Sequence, residues 1–446
     1  MKKGILLIIA FMLLCAINLQ SQDKKNEFKP EIKIGATVYT GWTYNADDAD
    51  FIGKLDTSAA GVNPAAAFGY NPTKNQFETG KNSFTLDRAY INIKASLTPQ
   101  ISARLTPDIT SFVDQSGVTQ WTYQAKYVFV DYNPLALENG TNLTFEVGIL
   151  PNYWINNIEK YYGWRGVQKT LTDYGWTMSA SKSGTTVTRK TASYFSSADL
   201  GFTAKFTFPQ KYADLNLALL NGNGYKNLSF DNRFKDVMVT GFIYPLAVMM
   251  KKKPDEIKKL KKIRVEGIAD LTVGGFVYMG RLGAGEYGIV NGGQYKNNRF
   301  GGMANFRYNF DKFGYLKLGG ELSMQSNQIP SSIPATVDST FSAQGFSTWF
   351  EFNPPVEMLA DKLMLIFRYD SFDPNTTKPG TNLFGFTGDA NKQSLMIIGL
   401  MFKPSSVLTL GLNYQTQGFD KDFIVKYDGT TKNNLSRLYF NTILDF

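Results

Sequence analysis

The sequence predicts an all-β chain: a transmembrane antiparallel β-barrel of about sixteen strands, with long loops at one end and mostly short turns at the other. Three observations carry this. Apolar residues alternate with polar ones at period two, as in Ala89-Tyr90-Ile91-Asn92-Ile93-Lys94-Ala95-Ser96-Leu97, the pattern of a strand with one greasy and one wet face. Beyond the leading segment no eighteen-residue apolar run occurs, which excludes a helical membrane protein. The links between alternating segments are themselves alternately short and long.

Composition narrows the chemistry. The 446 residues include 34 phenylalanines, 24 tyrosines and 40 glycines, one cysteine and no histidine, with a formal charge of +9. Without histidine there is no Ser-His-Asp hydrolase, no imidazole base and no His-ligated zinc or haem. The lone Cys15 removes thiolate metal sites and internal disulfides. No enzyme, no cofactor, no metal and no nucleic-acid partner is expected.

In chain order, Met1 to Gln22 reads as a signal peptide: Lys2 and Lys3 head an apolar run, Ile5 to Ile17, too short to span a bilayer as a helix. Residues 23–446 then form one barrel domain. Ile32, Ile34, Ala36 and Val38 share a face; 89–97 turns at Thr98-Pro99 into a segment in which Ile101, Ala103 and Leu105 alternate with Ser102, Arg104 and Thr106. Further strands are predicted near 121–132, 142–150, 198–208, 213–220, 235–245, 263–279, 299–310, 315–326, 344–353, 362–370, 393–403, 407–417 and 433–446. Short links fall at Thr98-Pro99, Pro209 to Tyr212, Asp311 to Gly314 and Lys403 to Ser406; long ones at 43–83, 151–197, 221–234, 280–298, 327–343, 371–392 and 418–432. No amphipathic helix of useful length is predicted between strands, so a soluble sandwich would lack a cover for its greasy faces.

The last strand places Leu438, Phe440, Thr442 and Leu444 outward and ends on Phe446, which resembles the terminal signal that barrel-insertion machinery reads. Tyr39, Trp42, Trp121, Tyr123, Tyr278, Tyr315, Phe346, Phe402 and Tyr414 lie near strand ends and are assigned to interfacial girdles against outer-membrane lipid.

The opposite phase faces a lumen. It carries Arg88, Lys94, Arg104, Lys126, Lys205, Arg299, Arg307, Lys317, Arg368 and Arg437, with Asp108, Glu146, Asp214, Asp236, Glu266, Asp270, Glu321, Glu351 and Asp370. Charges of both signs at alternate positions suit a water-filled channel and not a packed core. Guanidinium groups favour carboxylates and phosphates as passing solutes, while the near-balance of signs argues against strong anion selectivity. The same groups also have an architectural reading, pairing across the lumen to hold its shape.

Asp87-Arg88-Ala89-Tyr90-Ile91-Asn92, Arg104-Leu105-Thr106-Pro107-Asp108, Gly148-Ile149-Leu150-Pro151 with Trp154, Tyr161-Tyr162-Gly163-Trp164-Arg165, Ser196-Ser197-Ala198-Asp199-Leu200-Gly201 and Asn221-Gly222-Asn223-Gly224-Tyr225 together resemble the phosphate-selective porin O and P family, in its Bacteroidetes-type branch. The resemblance covers about residues 84–225. It implies a sixteen-stranded homotrimeric porin of the bacterial outer membrane, an anion channel passing phosphate or other small polar solutes, with a long third loop folded into the pore. By position that loop is 151–197, carrying Arg165 and Lys169. The expected pore-lining, solute-contacting residues are therefore Arg88, Lys94, Arg104, Lys126, Arg165, Lys169, Lys205, Arg299, Arg307, Arg368 and Arg437.

Other motifs weigh less. Gly283-Ala284-Gly285-Glu286-Tyr287-Gly288 has the letters of a dinucleotide fingerprint but opens onto a loop, Ile289-Val290-Asn291-Gly292-Gly293, where a helix is required. Lys251 to Arg264, with eight bases and two acids, reads as a solvated turn, or as a basic handle for anionic lipid. Asp47-Asp48-Ala49-Asp50 lacks a full calcium ligand set. Three rival functions stand beside the channel: a barrel-type outer-membrane enzyme, disfavoured by the lack of histidine; a barrel that only anchors binding or adhesion loops, without an open pore; and a hydrophobic-substrate transporter, which would want an apolar lumen.

Overall fold

A computed structural model describes residues 28–46, 82–113, 119–183, 186–226, 235–250, 266–282, 295–310, 313–329, 339–374, 392–419 and 431–446, with short pieces at 49–51, 70–71, 76–77, 376 and 424–426. The signal segment, the basic turn 251–264, the glycine motif at 283–288 and Asp47 and Asp48 lie outside the described residues.

Sixteen antiparallel strands close on themselves. They are β1 (Glu31–Asn45), β2 (Asn82–Ser96), β3 (Ile101–Val113), β4 (Thr119–Ala136), β5 (Asn142–Pro151), β6 (Ala198–Thr207), β7 (Ala213–Leu220), β8 (Asp236–Ile243), β9 (Gly267–Leu282), β10 (Tyr295–Asn309), β11 (Tyr315–Ile329), β12 (Ser339–Asn353), β13 (Leu363–Asp373), β14 (Gln393–Phe402), β15 (Leu408–Phe419) and β16 (Asn434–Asp445). Each pairs with its neighbour in sequence, and β1 closes the ring on β16 from Thr37 opposite Asp445 to Asn45 opposite Arg437. Closure leaves no strand edge, which is what a wall in hydrocarbon requires. All sixteen predicted strands form, and several run further than predicted: β1 reaches Asn45 and β2 begins at Asn82, so the first link is shorter than 43–83.

The greasy phase points outward. Ile32, Ile34, Phe84, Val147, Leu217, Val277, Phe300, Leu322, Leu400 and Phe440 are all exposed, and with Leu105, Trp121, Ile243, Phe346, Leu365 and Leu412 every strand but β6 carries an exposed large hydrophobic residue. A belt of this kind round the whole circumference far exceeds the apolar patches of water-soluble monomers; hydrocarbon is the solvent that fits it.

Among the nine girdle aromatics, Trp121, Tyr123, Phe346, Phe402 and Tyr414 are exposed on this outer face. Tyr278 and Tyr315 are not: both are buried in the lumen, their hydroxyls donating to Asp236 and Glu351. Tyr39 also turns inward, lining a lumenal cavity beside loop 3. All three lie on the wet phase of their strands, and nearness to a strand end does not override that phase.

The lumen is not filled by charges and water throughout, as the alternation had implied. The third loop enters it and packs there as a core. A ten-residue helix, α1 (Tyr153–Tyr162), opens that loop. It starts at Asn152, whose side chain accepts the Ile155 backbone N–H at 3.1 Å, and stops at Gly163, whose φ of 84° only glycine adopts without strain. Trp154, Ile155, Ile158, Tyr161 and Tyr162 form its buried face. The sequence predicts only a loop over 151–197, with no amphipathic helix between strands; a ten-residue run is too short for its helical period to stand out.

Candidate functional site

The site is the space that remains between loop 3 and the wall. Loop 3 contributes Trp154, Ile155, Ile158, Tyr161, Tyr162, Trp164, Val167, Leu171, Trp176, Tyr194 and Phe195 to one apolar cluster. The wall contributes Leu220, Met238, Phe242, Phe276, Tyr278, Met303, Trp349, Met364, Ile366, Phe372, Ile397 and Met401, all from β7 to β14. Trp154 stacks on Phe242 with centroids 5.8 Å apart and meets Phe276 at 4.6 Å, while Trp176 stacks on Phe372 at 5.0 Å. A lumenal glycine makes room for a wall ring: a Cβ on Gly319 would sit 2.4 Å from the Trp349 indole.

Polar ties fix the loop round that cluster. Trp164 Nε1 donates to Glu351 Oε2 at 2.7 Å, Tyr194 OH to Ser323 O at 3.2 Å, Arg368 Nη1 to Lys169 O at 2.6 Å and Gln415 Nε2 to Val167 O at 3.3 Å. Asn441 Nδ2 reaches Gly166 O at 3.3 Å. Loop 3 is thus held by β11, β12, β13, β15 and β16.

The lumenal charges divide accordingly. Of the predicted set, Arg299, Arg307, Lys317 and Arg368 with Asp214, Asp236, Glu266, Asp270, Glu321, Glu351 and Asp370 belong to β7–β13 or the turn just before β9, on the covered side. Arg88, Lys94, Arg104, Lys126, Lys205 and Arg437, with only Asp108 and Glu146, belong to β2–β6 and β16. The near-balance in sequence hides a segregation: acids dominate β7–β13, the strands against which the apolar cluster packs, and bases dominate the rest of the wall. Lys33, Lys160 and Lys403 extend this basic side, and Glu31, Asp131, Glu159, Asp173, Asp199 and Asp445 temper it.

Individual placements follow. Arg88 Nη1 pairs with Asp108 Oδ2 at 2.6 Å. Lys94 stands directly opposite Lys33 on β1 and Arg104 on β3. Arg104 donates to Thr106 at 3.0 Å and Asn92 at 2.9 Å and lies 4.6 Å from the Tyr127 ring centre. Lys126 is buried, its Nζ donating to Tyr90 OH at 3.0 Å, and Lys205 pairs with Glu146. Arg165 pairs with Asp173 at 2.9 Å and with Glu159. Burial and the nearby Arg88, Arg165 and Lys126 hold the Lys169 ammonium below its ordinary pKa, with Asp173 opposing. These four cations thus converge where loop 3 faces β2–β4.

On the covered side the arginines have structural partners. Arg299 lies 5.1 Å from the Phe195 ring centre and 5.0 Å from that of Tyr278; Arg307 lies 3.8 Å from Tyr315. Arg368, 2% exposed, clasps Asp370 through Nε at 2.8 Å and Nη2 at 2.6 Å. Arg437 projects inward opposite Gln415 and Asn45, by register.

Beneath α1, at the short-turn mouth, a cavity of about 410 Å³ opens between β1, the β14–β15 turn and β16. Thr37, Tyr39, Lys160, Arg165, Lys403 and Asp445 line it. Sequence reasoning missed Lys33, Asp131 and Lys403. The first two were legible, since each falls on the wet phase of a strand already marked out; Lys403 stands in a turn, where phase says nothing.

No protein-family model and no curated protein matches the sequence. Solved structures do match in fold. The anion-selective porin from Comamonas acidovorans superposes with a TM-score of 0.51 at 9% identity, covering 94% of this chain and 100% of that one. The outer membrane channel DcaP of Acinetobacter baumannii gives 0.50 at 10% identity, covering 96% and 100%. At such identities the likeness is one of fold: a closed sixteen-stranded barrel.

Proposed function

We propose that the chain is a porin of the bacterial outer membrane, a passive diffusion channel for small polar solutes with a weak preference for anions. One observation carries the reading: acids dominate β7–β13, where the apolar cluster of loop 3 packs, while bases dominate the other strands, among them the exposed Lys94. A solute beside those strands meets Arg88, Lys94, Arg104 and Lys169 one after another, and brief multi-site contact of this kind lets ions enter and leave. The apolar belt supports an integral membrane position, and the anion-selective porin and the DcaP channel have the same barrel architecture. Removal of residues 1–22 on export and insertion through the C-terminal strand complete the proposal. A homotrimer belongs to it as well, and cross-linking of the detergent-solubilised protein tests that part.

Solute contact is assigned to Arg88, Lys94, Arg104, Lys169, Lys205 and Arg437 on the open side. Arg165 and Lys126 shape the constriction from more buried positions, and Arg299, Arg307 and Arg368 act through the wall and loop they brace. A greasy-substrate transporter is disfavoured, since the lumen's apolar surface is already occupied by the loop's own aromatics. The experiment is a reversal potential across a planar bilayer under a salt gradient. Anion preference is expected, and reversal of its sign on replacing Arg88 and Arg104 by Glu; unchanged conductance and selectivity would overturn the assignment. A barrel that only anchors its loops would give no channel at all.

A further inference from the structure

We infer that the short-turn half of this basic face is a subsite for small amphoteric solutes of the amino-acid class, taking a carboxylate on Lys94 and Arg104 and an ammonium on Asp131 and Glu146. The inference rests on the porin reading and names a solute class for it.

The register makes the argument. Lys33, Lys94 and Arg104 stand directly opposite one another across β1, β2 and β3. On the next two strands Asp131 stands directly opposite Glu146. Like charges placed opposite each other in a sheet are destabilising, and a wall built only for its own stability would interleave the signs. Here a basic row of three strands lies beside an acidic pair, each within a few residues of the short-turn ends, and within the row Lys33 also pairs with Glu31 at 3.1 Å.

The two patches adjoin without joining. Arg104 directs its guanidinium to Thr106 and Asn92, not to Asp131. Asp131 Oδ2 accepts the Ser102 hydroxyl at 2.9 Å, while its Oδ1 is enclosed and finds no donor. Lys205 serves the Oε1 of Glu146. Between the patches lies Phe129, directly opposite Arg104 and two residues before Asp131 on the same strand face. An amino acid carries a carboxylate and an ammonium separated by one carbon. It can therefore complete a charge-assisted contact on each patch at once, which a simple anion cannot do and an uncharged polyol does only weakly.

The test uses isomers. Glycine and glycolamide have the same atoms, but only glycine is a zwitterion. The full-length protein in liposomes is followed by osmotic swelling in each, at low solute concentration. Glycine is expected to enter about threefold faster, the scale of one exposed ion pair. Asp131→Asn with Glu146→Gln, and separately Lys94→Gln with Arg104→Gln, should each abolish that advantage while moving the reversal potential in opposite directions. Should a double variant fail to give a heat-modifiable barrel on gels, Asp131→Asn alone is used. Equal entry of both isomers into wild-type liposomes, or an advantage that survives both substitutions, overturns the subsite and leaves the porin reading standing. Entry of neither overturns both.

Discussion

Trp164 and Glu351 are 187 positions apart in the chain, yet the indole Nε1 of one donates to the carboxylate of the other at 2.7 Å, deep inside the barrel. The same carboxylate receives Lys317 and the Tyr315 hydroxyl, so one acid on β12 gathers the loop, β11 and its own wall. A buried carboxylate satisfied from three directions is a fixed post, and loop 3 is tied to it.

Replacing Trp164 by Phe keeps the ring and removes that donor. Glu351 retains its other partners, so the cost is that of one hydrogen bond to a charged group, about 1.5–3 kcal/mol. The barrel should still form but convert to its unfolded gel mobility at lower temperature, and single-channel records should show a noisier open level. Unaltered thermal conversion and noise would mean that the tie contributes nothing to holding the loop.

Trp154 tests the apolar side of the same docking. It is fully buried, stacked on Phe242 and against Phe276. Truncation to Ala removes an aromatic side chain from a packed cluster, which costs about 3–5 kcal/mol. The loss falls on loop 3 and not on the hydrogen-bonded ring of strands, so the barrel should survive while the loop becomes cleavable by protease and conductance rises. A loop that stays protected at unchanged conductance would contradict its role as the constricting element.

Much of this was legible beforehand, and the reason is the period of two. Strand phase alone placed Phe440 and Leu444 outward and Arg88 and Arg104 inward, because every second residue in a paired strand must share a face. Where phase and end position disagreed, as at Tyr278 and Tyr315, phase prevailed. Phase says only which side a residue faces, not what meets it there. Phe242, Phe276 and Trp349 could be seen to point inward, but nothing local announces that Trp154 and Tyr162 cover them, contacts spanning roughly 90 to 190 residues. For the same reason the alternation could count acids and bases in the lumen without revealing that loop 3 packs over the strands richer in acids.

The lumenal glycines provide a sharper check on that packing. A methyl group on Gly319 would lie 2.4 Å from the Trp349 indole, whereas on the outward Gly275 it would meet only the Gly301 carbonyl oxygen at 3.3 Å. Gly319→Ala must therefore displace a ring of the core against which loop 3 packs, and overpacking of this kind costs typically about 1–3 kcal/mol. Gly275→Ala should leave folding yield and conductance near wild type, and Gly319→Ala should lower the first and disturb the second. Equal behaviour of the two would show that the indole does not lie over the glycine.

Lys169 makes the basic face sensitive to pH. Burial lowers its pKa from the ordinary 10.5, the neighbouring Arg88, Arg165 and Lys126 lower it further, and Asp173 opposes them. Its proton therefore leaves at a lower pH than that of an exposed lysine. As pH rises through that range, one positive charge disappears from the solute path while the arginines stay charged, so anion preference should decline before ordinary lysines titrate. Lys169→Arg keeps a charge that does not titrate and should reduce the alkaline decline relative to wild type; Lys169→Met should start from the lowered preference already at neutral pH. Reversal potentials measured across the alkaline range separate these cases, and a wild-type preference that stays flat until exposed lysines titrate would place Lys169 outside the path of the solute.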